Sequence, residues 1–206
     1  ERFFLKSDGK ILMTESTKDV AELVLTDSGK IMERKEKNQE PKERFSKTVK
    51  HLYSPWNIGR ILNEKTKTVN YGEEFILDNG LKITLFDAGH VLGSACVYIS
   101  DGEMSLLYTG DFNDAPTGIH DAISLPDNLK VDVLITETTN GFKDKAELKY
   151  EDKVNLLGEI IRKTISKNGT VLIPSFAFGR AQEILLAIGK LKNEGKIDKG
   201  VSVYLS

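Results

Sequence analysis

The sequence predicts an α/β protein whose two halves are built differently. Three observations carry this. A helix-period pattern lies near the start of the chain. Short β-rich runs separated by turn signals fill the stretch from about 68 to 136. From about 142 onward, strand-like runs alternate with amphipathic helical ones.

Ile11, Leu12 and Met13 read as a short strand. Ser16-Thr17-Lys18-Asp19 has capping-box form, and Val20, Leu23, Val24, Asp27 and Ile31 recur at helical spacing, so a helix is expected from about Thr17 to the mid-thirties. The Lys/Glu-rich stretch to Glu43 is a loop or the polar end of that helix. Residues 30–50 hold eight basic and four acidic residues. This is either a nucleic-acid-facing patch or a solvated helix face laced with i,i+4 pairs. Ser54-Pro55 breaks the pattern, and 56–64 suggest a short helix.

Residues 68–71, 74–77 and 81–86 read as strands. Asp78-Asn79-Gly80 joins the last two in a hairpin, because these residue types tolerate positive φ. Residues 95–100 and 104–108 form a second hairpin through Asp101-Gly102, and 131–136 are a short buried strand. Next comes a helix over 150–166, with Val154, Leu157, Ile160 and Ile161 on one face and Gly169 in the C-terminal cap position. A buried strand at 171–174, a helix at 179–191 and a strand at 201–205 complete the pattern, which opens a parallel, Rossmann-like sheet.

At 206 residues the chain can bury a sizeable core. Its formal charge of −2 excludes a generic nucleic-acid-coating protein, so nucleic acid would need a local basic surface. Cys96 is the only cysteine and sits in an apolar run, which makes core packing its default role and excludes a disulfide within the chain. No apolar run is long enough to cross a bilayer and no signal peptide is visible. The expectation is no membrane partner and a cytoplasmic setting, or a nuclear one in a eukaryote.

Polar candidates stand at three successive strand ends. His90 follows 81–86 and lies between Gly89 and Val91, with Gly93 close behind. Asp111 follows 104–108 in Thr109-Gly110-Asp111. Glu137 follows 131–136. A sheet fixes groups at such ends while the loops leave them open. Imidazole is a common zinc ligand, a carboxylate can bridge two metals, and a further carboxylate can orient a histidine. Spacing alone serves a structural histidine, a Gly-Asp turn and a helix-capping acid equally well. Later in the chain, Ser175 to Arg180 fill a strand-to-helix loop, where backbone N–H groups and the helix dipole favour an anion. Arg180 is then either an RNA-phosphate ligand or half of an ion pair that fixes the loop.

These motifs resemble a known family. Ala88-Gly89-His90-Val91-Leu92-Gly93-Ser94-Ala95, Tyr108-Thr109-Gly110-Asp111-Phe112, Glu137-Thr138-Thr139-Asn140-Gly141 and Ser175-Phe176-Ala177-Phe178-Gly179-Arg180-Ala181-Gln182-Glu183 resemble the β-CASP branch of the metallo-β-lactamase superfamily. Within it they are similar to the RNA 3′-end-processing nucleases, relatives of the cleavage and polyadenylation endonuclease subunit and its archaeal counterparts. The resemblance runs roughly from Ile11 onward. It implies a partial metallo-β-lactamase αββα sandwich over 1–141 and the first part of a β-CASP domain over 142–206.

The resemblance also implies roles. His90 would bind one zinc, and Asp111 would bridge both ions of a two-zinc site. Glu137 would pair with a later histidine near the leaving group. Ser175 and Arg180 would contact RNA. The implied activity is zinc-dependent phosphodiester hydrolysis by a hydroxide held between two metals, in endonuclease or exonuclease mode, on single-stranded RNA. A homodimer or the subunits of a processing complex would be the protein partners. Gly89-His90-Val91-Leu92-Gly93 matches neither the DNA cross-link-repair branch nor the ribonuclease J branch, which favours RNA 3′ processing. Asn140 stands where the family usually has tyrosine.

The family's His-x-His-x-Asp-His run is absent, as are its last two histidine motifs. The chain has three histidines, His51, His90 and His120, and no two are close in sequence. A fragment of a longer enzyme is expected, active only within its parent protein. A split enzyme or a degenerate homologue, acting as a catalytically inactive RNA-binding or scaffolding subunit, is the alternative.

Overall fold

The computed structural model describes residues 9–37, 53–139, 141 and 148–205. Strand β1 (Ile11–Met13) leads into helix α1 (Glu15–Lys37), and helix α2 (Pro55–Glu64) precedes strand β2 (Thr66–Thr68). β1 and β2 pair in parallel, Ile11 opposite Thr66. α2 buries Ile58, Ile61 and Leu62. The two helices approach closely at Gly29, where an added Cβ would stand 2.8 Å from the Pro55 ring.

The second sheet positions the site. Strands β3 (Glu74–Ile76), β4 (Lys82–Asp87), β5 (Ala95–Ser100), β6 (Ser105–Tyr108) and β7 (Val133–Ile135) lie side by side in that order. Neighbours are antiparallel except β6 and β7, which run parallel. The two expected hairpins form. Asn79 accepts the Leu81 N–H at one turn, and Asp101 accepts those of Glu103 and Met104 at the other, each side chain replacing a backbone acceptor. Ala88, Cys96 and Leu107 are buried, with Phe86, Tyr98, Phe112, Ile123, Leu129 and Val131 packed around them. Phe86 and Tyr98 meet in a tilted pair with centroids 6.3 Å apart. Cys96 is wholly enclosed, and burial followed by the nearby Asp87 charge pushes its thiol up to about 11.

Helices α3 (Tyr150–Ile165) and α4 (Arg180–Asn193) build a separate core from Val154, Ile161, Ala187, Ile188, Leu191 and Ile197. Gly158 lets α4 approach, since a Cβ there would stand 2.8 Å from Leu191. α3 has Glu151 and Asp152 in its first turn and Arg162 and Lys163 in its last, complementing the helix dipole.

Several expectations need correction. α1 begins at Glu15, earlier than expected, because Thr14 rather than Ser16 caps it: the Thr17 N–H donates to the Thr14 hydroxyl at 3.1 Å. Its Leu23, Val24 and Ile31 are exposed, so helical spacing did not mark a buried face. β2 forms two residues before the expected 68–71 because it takes its register from β1. β7 is an edge strand rather than a buried one, with Leu134 58% exposed. The expected strands at 171–174 and 201–205 are not strands among the described residues. Val171 and Val201 pack on the α3–α4 core, but Leu172 is 90% exposed. An apolar run becomes a strand only where a neighbour accepts its ladder hydrogen bonds. The basic stretch at 30–50 lies largely outside the described residues, as do His51 and Asn140.

Candidate metal centre

β4 ends at Asp87 and β5 begins at Ala95, and the loop between them carries His90. The chain reverses there through Gly89 at φ +64° and Gly93 at φ +84°, conformations that favour glycine. At Gly89 there is no room for a side chain either: a Cβ would stand 2.6 Å from the Asp121 carbonyl and 2.7 Å from the Ile123 nitrogen. The loop is closed by its own polar groups. The Asp87 carboxylate accepts the Gly89 N–H at 2.8 Å. The Ser94 hydroxyl oxygen accepts the N–H groups of His90 and Val91 at 3.1 and 3.2 Å.

Neighbouring segments hold the loop from outside. Asn113, two residues after Asp111, donates its side-chain amide to the Gly89 carbonyl at 3.0 Å. The Tyr71 hydroxyl donates to the Ser94 carbonyl at 2.8 Å. Burial, then the Asp87 charge, pushes that hydroxyl up to about 12.

Asp111 follows β6, in the next loop of the sheet. His90 Nε2 and Asp111 Oδ2 are 4.0 Å apart, and both side chains are open to solvent at 41% and 71% exposure. Glu137 stands just beyond β7 and reaches back to the same place. Its carboxylate accepts the Phe112 N–H at 3.0 Å, which ties it to the residue next to Asp111. A hydrogen bond from the Thr139 side chain, then the Phe112 N–H, hold its carboxyl below the usual range, and the nearby His90 acts in the same direction. The three strand ends therefore converge.

The donor set fits a metal in part. Two ligands bonded to one zinc ion at about 2.0–2.2 Å can lie as much as about 4 Å apart, and a nitrogen with a carboxylate oxygen is ordinary zinc chemistry. Among the described residues, no group of three or more His, Cys, Asp or Glu side chains is placed to hold an ion. His120 forms no such group with them; its buried Nε2 has no hydrogen-bond partner.

Ser175 and Arg180 lie in the loop that opens α4. Ser175 is exposed. Arg180 pairs with Glu183 one turn on within α4, at 2.6 Å. This pair takes one guanidinium nitrogen and leaves other N–H donors outward. The loop borders the His90 loop, since a Cβ on Gly179 would stand 3.1 Å from the Val91 side chain. Arg180 also lines a cleft with Asn113, Tyr150, Lys153 and Glu183.

The sequence pointed to the candidate ligands but not to the residues that hold their loops. Ser94 sits inside the Ala88–Ala95 motif and Asp87 immediately before it, where the Asp-x-Gly spacing was a turn signal in its own right. Asn113 and Tyr71 carry no local signal, because their partners are distant in sequence.

No family model matches the chain. It is 33% identical over 203 residues to the transcription termination factor FttA of Pyrococcus horikoshii, covering 96% of this chain and 28% of that protein. It is 32% identical over 204 residues to the cleavage and polyadenylation specificity factor 73 of Drosophila melanogaster, covering 98% and 27%. Against an RNase J-like protein of Methanocaldococcus jannaschii it is 38% identical over 144 residues, covering 68% and 33%. The chain thus spans about a quarter to a third of the length of these curated relatives. Its α/β fold is consistent with part of a metallo-β-lactamase fold, and over most of its length the chain is similar to ribonucleases of the β-CASP metallo-β-lactamase family.

Proposed function

We propose that this chain is part of a zinc-dependent ribonuclease that hydrolyses phosphodiester bonds of single-stranded RNA in 3′-end processing. The observation that carries the reading is the approach of His90 to Asp111 at 4.0 Å, with Glu137 tied beside them. The names of the relatives, a cleavage and polyadenylation factor and an RNase J-like protein among them, support RNA as substrate. Residues 1–141 would be the metallo-β-lactamase part and 142–206 the start of the β-CASP part. Other subunits of a processing complex, or a second copy, would be its protein partners.

His90 and Asp111 would hold zinc. Bound zinc would supply Lewis acidity and lower the pKa of water at the site. Glu137, kept ionised, would orient a histidine on the leaving-group side. Arg180, steadied by Glu183, would grip a phosphate oxygen with its remaining donors, and Ser175 would add a hydroxyl contact.

In the full-length protein, Asp111→Ala is expected to abolish RNA cleavage while leaving the thermal unfolding transition in place. Glu137→Gln should slow cleavage by about 10²–10⁴-fold, the usual worth of general acid–base help. Wild-type rates in Asp111→Ala, or a larger loss in Glu137→Gln, would refute the assigned roles. The 206-residue chain alone should be inactive and hold zinc weakly, because zinc sites normally use three or four protein ligands. A second reading, a catalytically inactive RNA-binding or scaffolding subunit, draws on the absence of a third ligand among the described residues. It predicts RNA binding by the full-length protein with no cleavage at any zinc concentration.

A further inference from the structure

The hydroxyls at the start of α1 do more than cap a helix. Thr14 is buried and its side-chain oxygen accepts the Thr17 N–H, the ordinary capping bond. Thr17, in the first turn, has no capping task. Its hydroxyl donates to the Gly93 carbonyl at 2.6 Å, and the Thr14 hydroxyl reaches the same oxygen at 3.2 Å. The two hydroxyls are 2.9 Å from each other. Gly93 lies three residues after His90 and more than seventy after Thr17, so these are long-range bonds between α1 and the His90 loop. The approach is close enough that a Cβ on Gly93 would stand 2.6 Å from the Thr17 nitrogen and 2.7 Å from its hydroxyl.

We infer that Thr17, assisted by Thr14, is a positioning residue for the His90 loop, so that the first turn of α1 sets where the imidazole stands. Gly93 ends the reversal that His90 begins, and Ser94 beside it receives the His90 and Val91 N–H groups. A displaced Gly93 carbonyl therefore moves Ser94, and with it the two backbone bonds that orient His90. Loss of the Thr17 hydroxyl leaves that carbonyl with the longer Thr14 contact alone.

The consequence for metal binding rests on the zinc reading above, whereas the consequence for the loop does not, and the test separates them. Thr17→Val keeps the branched shape and removes the hydroxyl. Thr17→Ser keeps the hydroxyl and is the rescue. Amide hydrogen exchange on this chain should show the His90 and Val91 amides exchanging about tenfold faster in Thr17→Val and as wild type in Thr17→Ser, with amides of α3 and α4 unchanged in both. In the full-length protein, zinc affinity measured by competition with a chelator should fall by about 10–100-fold in Thr17→Val and recover in Thr17→Ser, as is typical when a group behind a metal ligand is removed. Unchanged exchange at His90 and Val91, or failure of serine to restore it, would overturn the inference. Zinc affinity unchanged in Thr17→Val, with the wild type binding well, would overturn its extension to the metal. A wild-type full-length protein that binds no zinc would refute the metal reading and leave the exchange result to decide the loop. If Thr17→Val does not fold, the less bulky Thr17→Ala takes its place; global unfolding of both would mean that Thr17 holds the fold and not the loop.

Discussion

The His90 loop and the Ser175–Arg180 loop meet where Gly179 approaches Val91, yet they are held in opposite ways. The first is fixed at nearly every residue: Asp87 and Ser94 close it from within, and Thr17, Tyr71 and Asn113 hold it from three other segments. The second has the Gln182 side chain on the Ala177 carbonyl, one short ion pair at its end, and Phe176 held out to solvent at 85% exposure. If His90 holds zinc as proposed, it has to stand within a few tenths of an ångström of one position, which a bolted loop would provide in advance. A contact to a flexible strand of nucleic acid is better made by long side chains on an open loop, which adjust to each substrate.

The sharpest way to break this contrast is Gly89→Ala. The new Cβ would run into the backbone of the 121–123 segment, at a φ that disfavours any side chain. Strain and overpacking together should cost roughly 2–5 kcal/mol, read as a lowered urea midpoint. A cost under about 1 kcal/mol would mean that the loop yields easily and is not prebuilt. For the open loop the expectation is reversed. Arg180→Ala should leave stability nearly unchanged, since exposed pairs contribute about 0–1 kcal/mol. In the full-length protein it should weaken single-stranded RNA binding and lower the salt slope by about one, as loss of one phosphate contact does. An unchanged slope would assign Arg180 to the Glu183 pair alone.

The smallest effect tests Tyr71. Its hydroxyl titrates higher in the fold than the ordinary value of 10.0, at about 12. The protonated form is therefore favoured by folding. The resulting stability is fully present below pH 10 and is lost as pH rises toward 12. Tyr71→Phe has no proton to lose there, so the gap in melting temperature between wild type and variant should narrow over that window. A constant gap would place the Tyr71 hydroxyl in a solvated setting, away from the Ser94 carbonyl.

How much of this was legible in the sequence follows the same divide between local and distant causes. The β3–β4 and β5–β6 hairpins were readable because Asp-Asn-Gly and Asp-Gly fix turns by local chemistry, and each strand's partner is the next run along the chain. The helices α2, α3 and α4 were readable because a helix satisfies its backbone internally. The runs at 171–174 and 201–205 look just as strand-like, but no periodicity states whether a partner strand stands beside them. In the site, His90, Asp111 and Glu137 were findable as polar residues at strand ends. Thr17 was read as part of a helix start, because its real partner, the Gly93 carbonyl, is a backbone atom of another loop.

The two edges of the five-stranded sheet differ in a way that matters at the bench. Along β3 a Glu74–Lys82 ion pair puts charge beside the open backbone. Among the described residues β7 has no such guard: Val133, Leu134 and Ile135 are all more than a third exposed, and no described strand pairs with its outer side. Three consecutive β-branched or aliphatic residues with free N–H and C=O groups form a template on which another extended chain can add. This chain should therefore lose material to concentration-dependent aggregation well before it unfolds. A single lysine in place of Leu134 is the substitution that would keep it in solution.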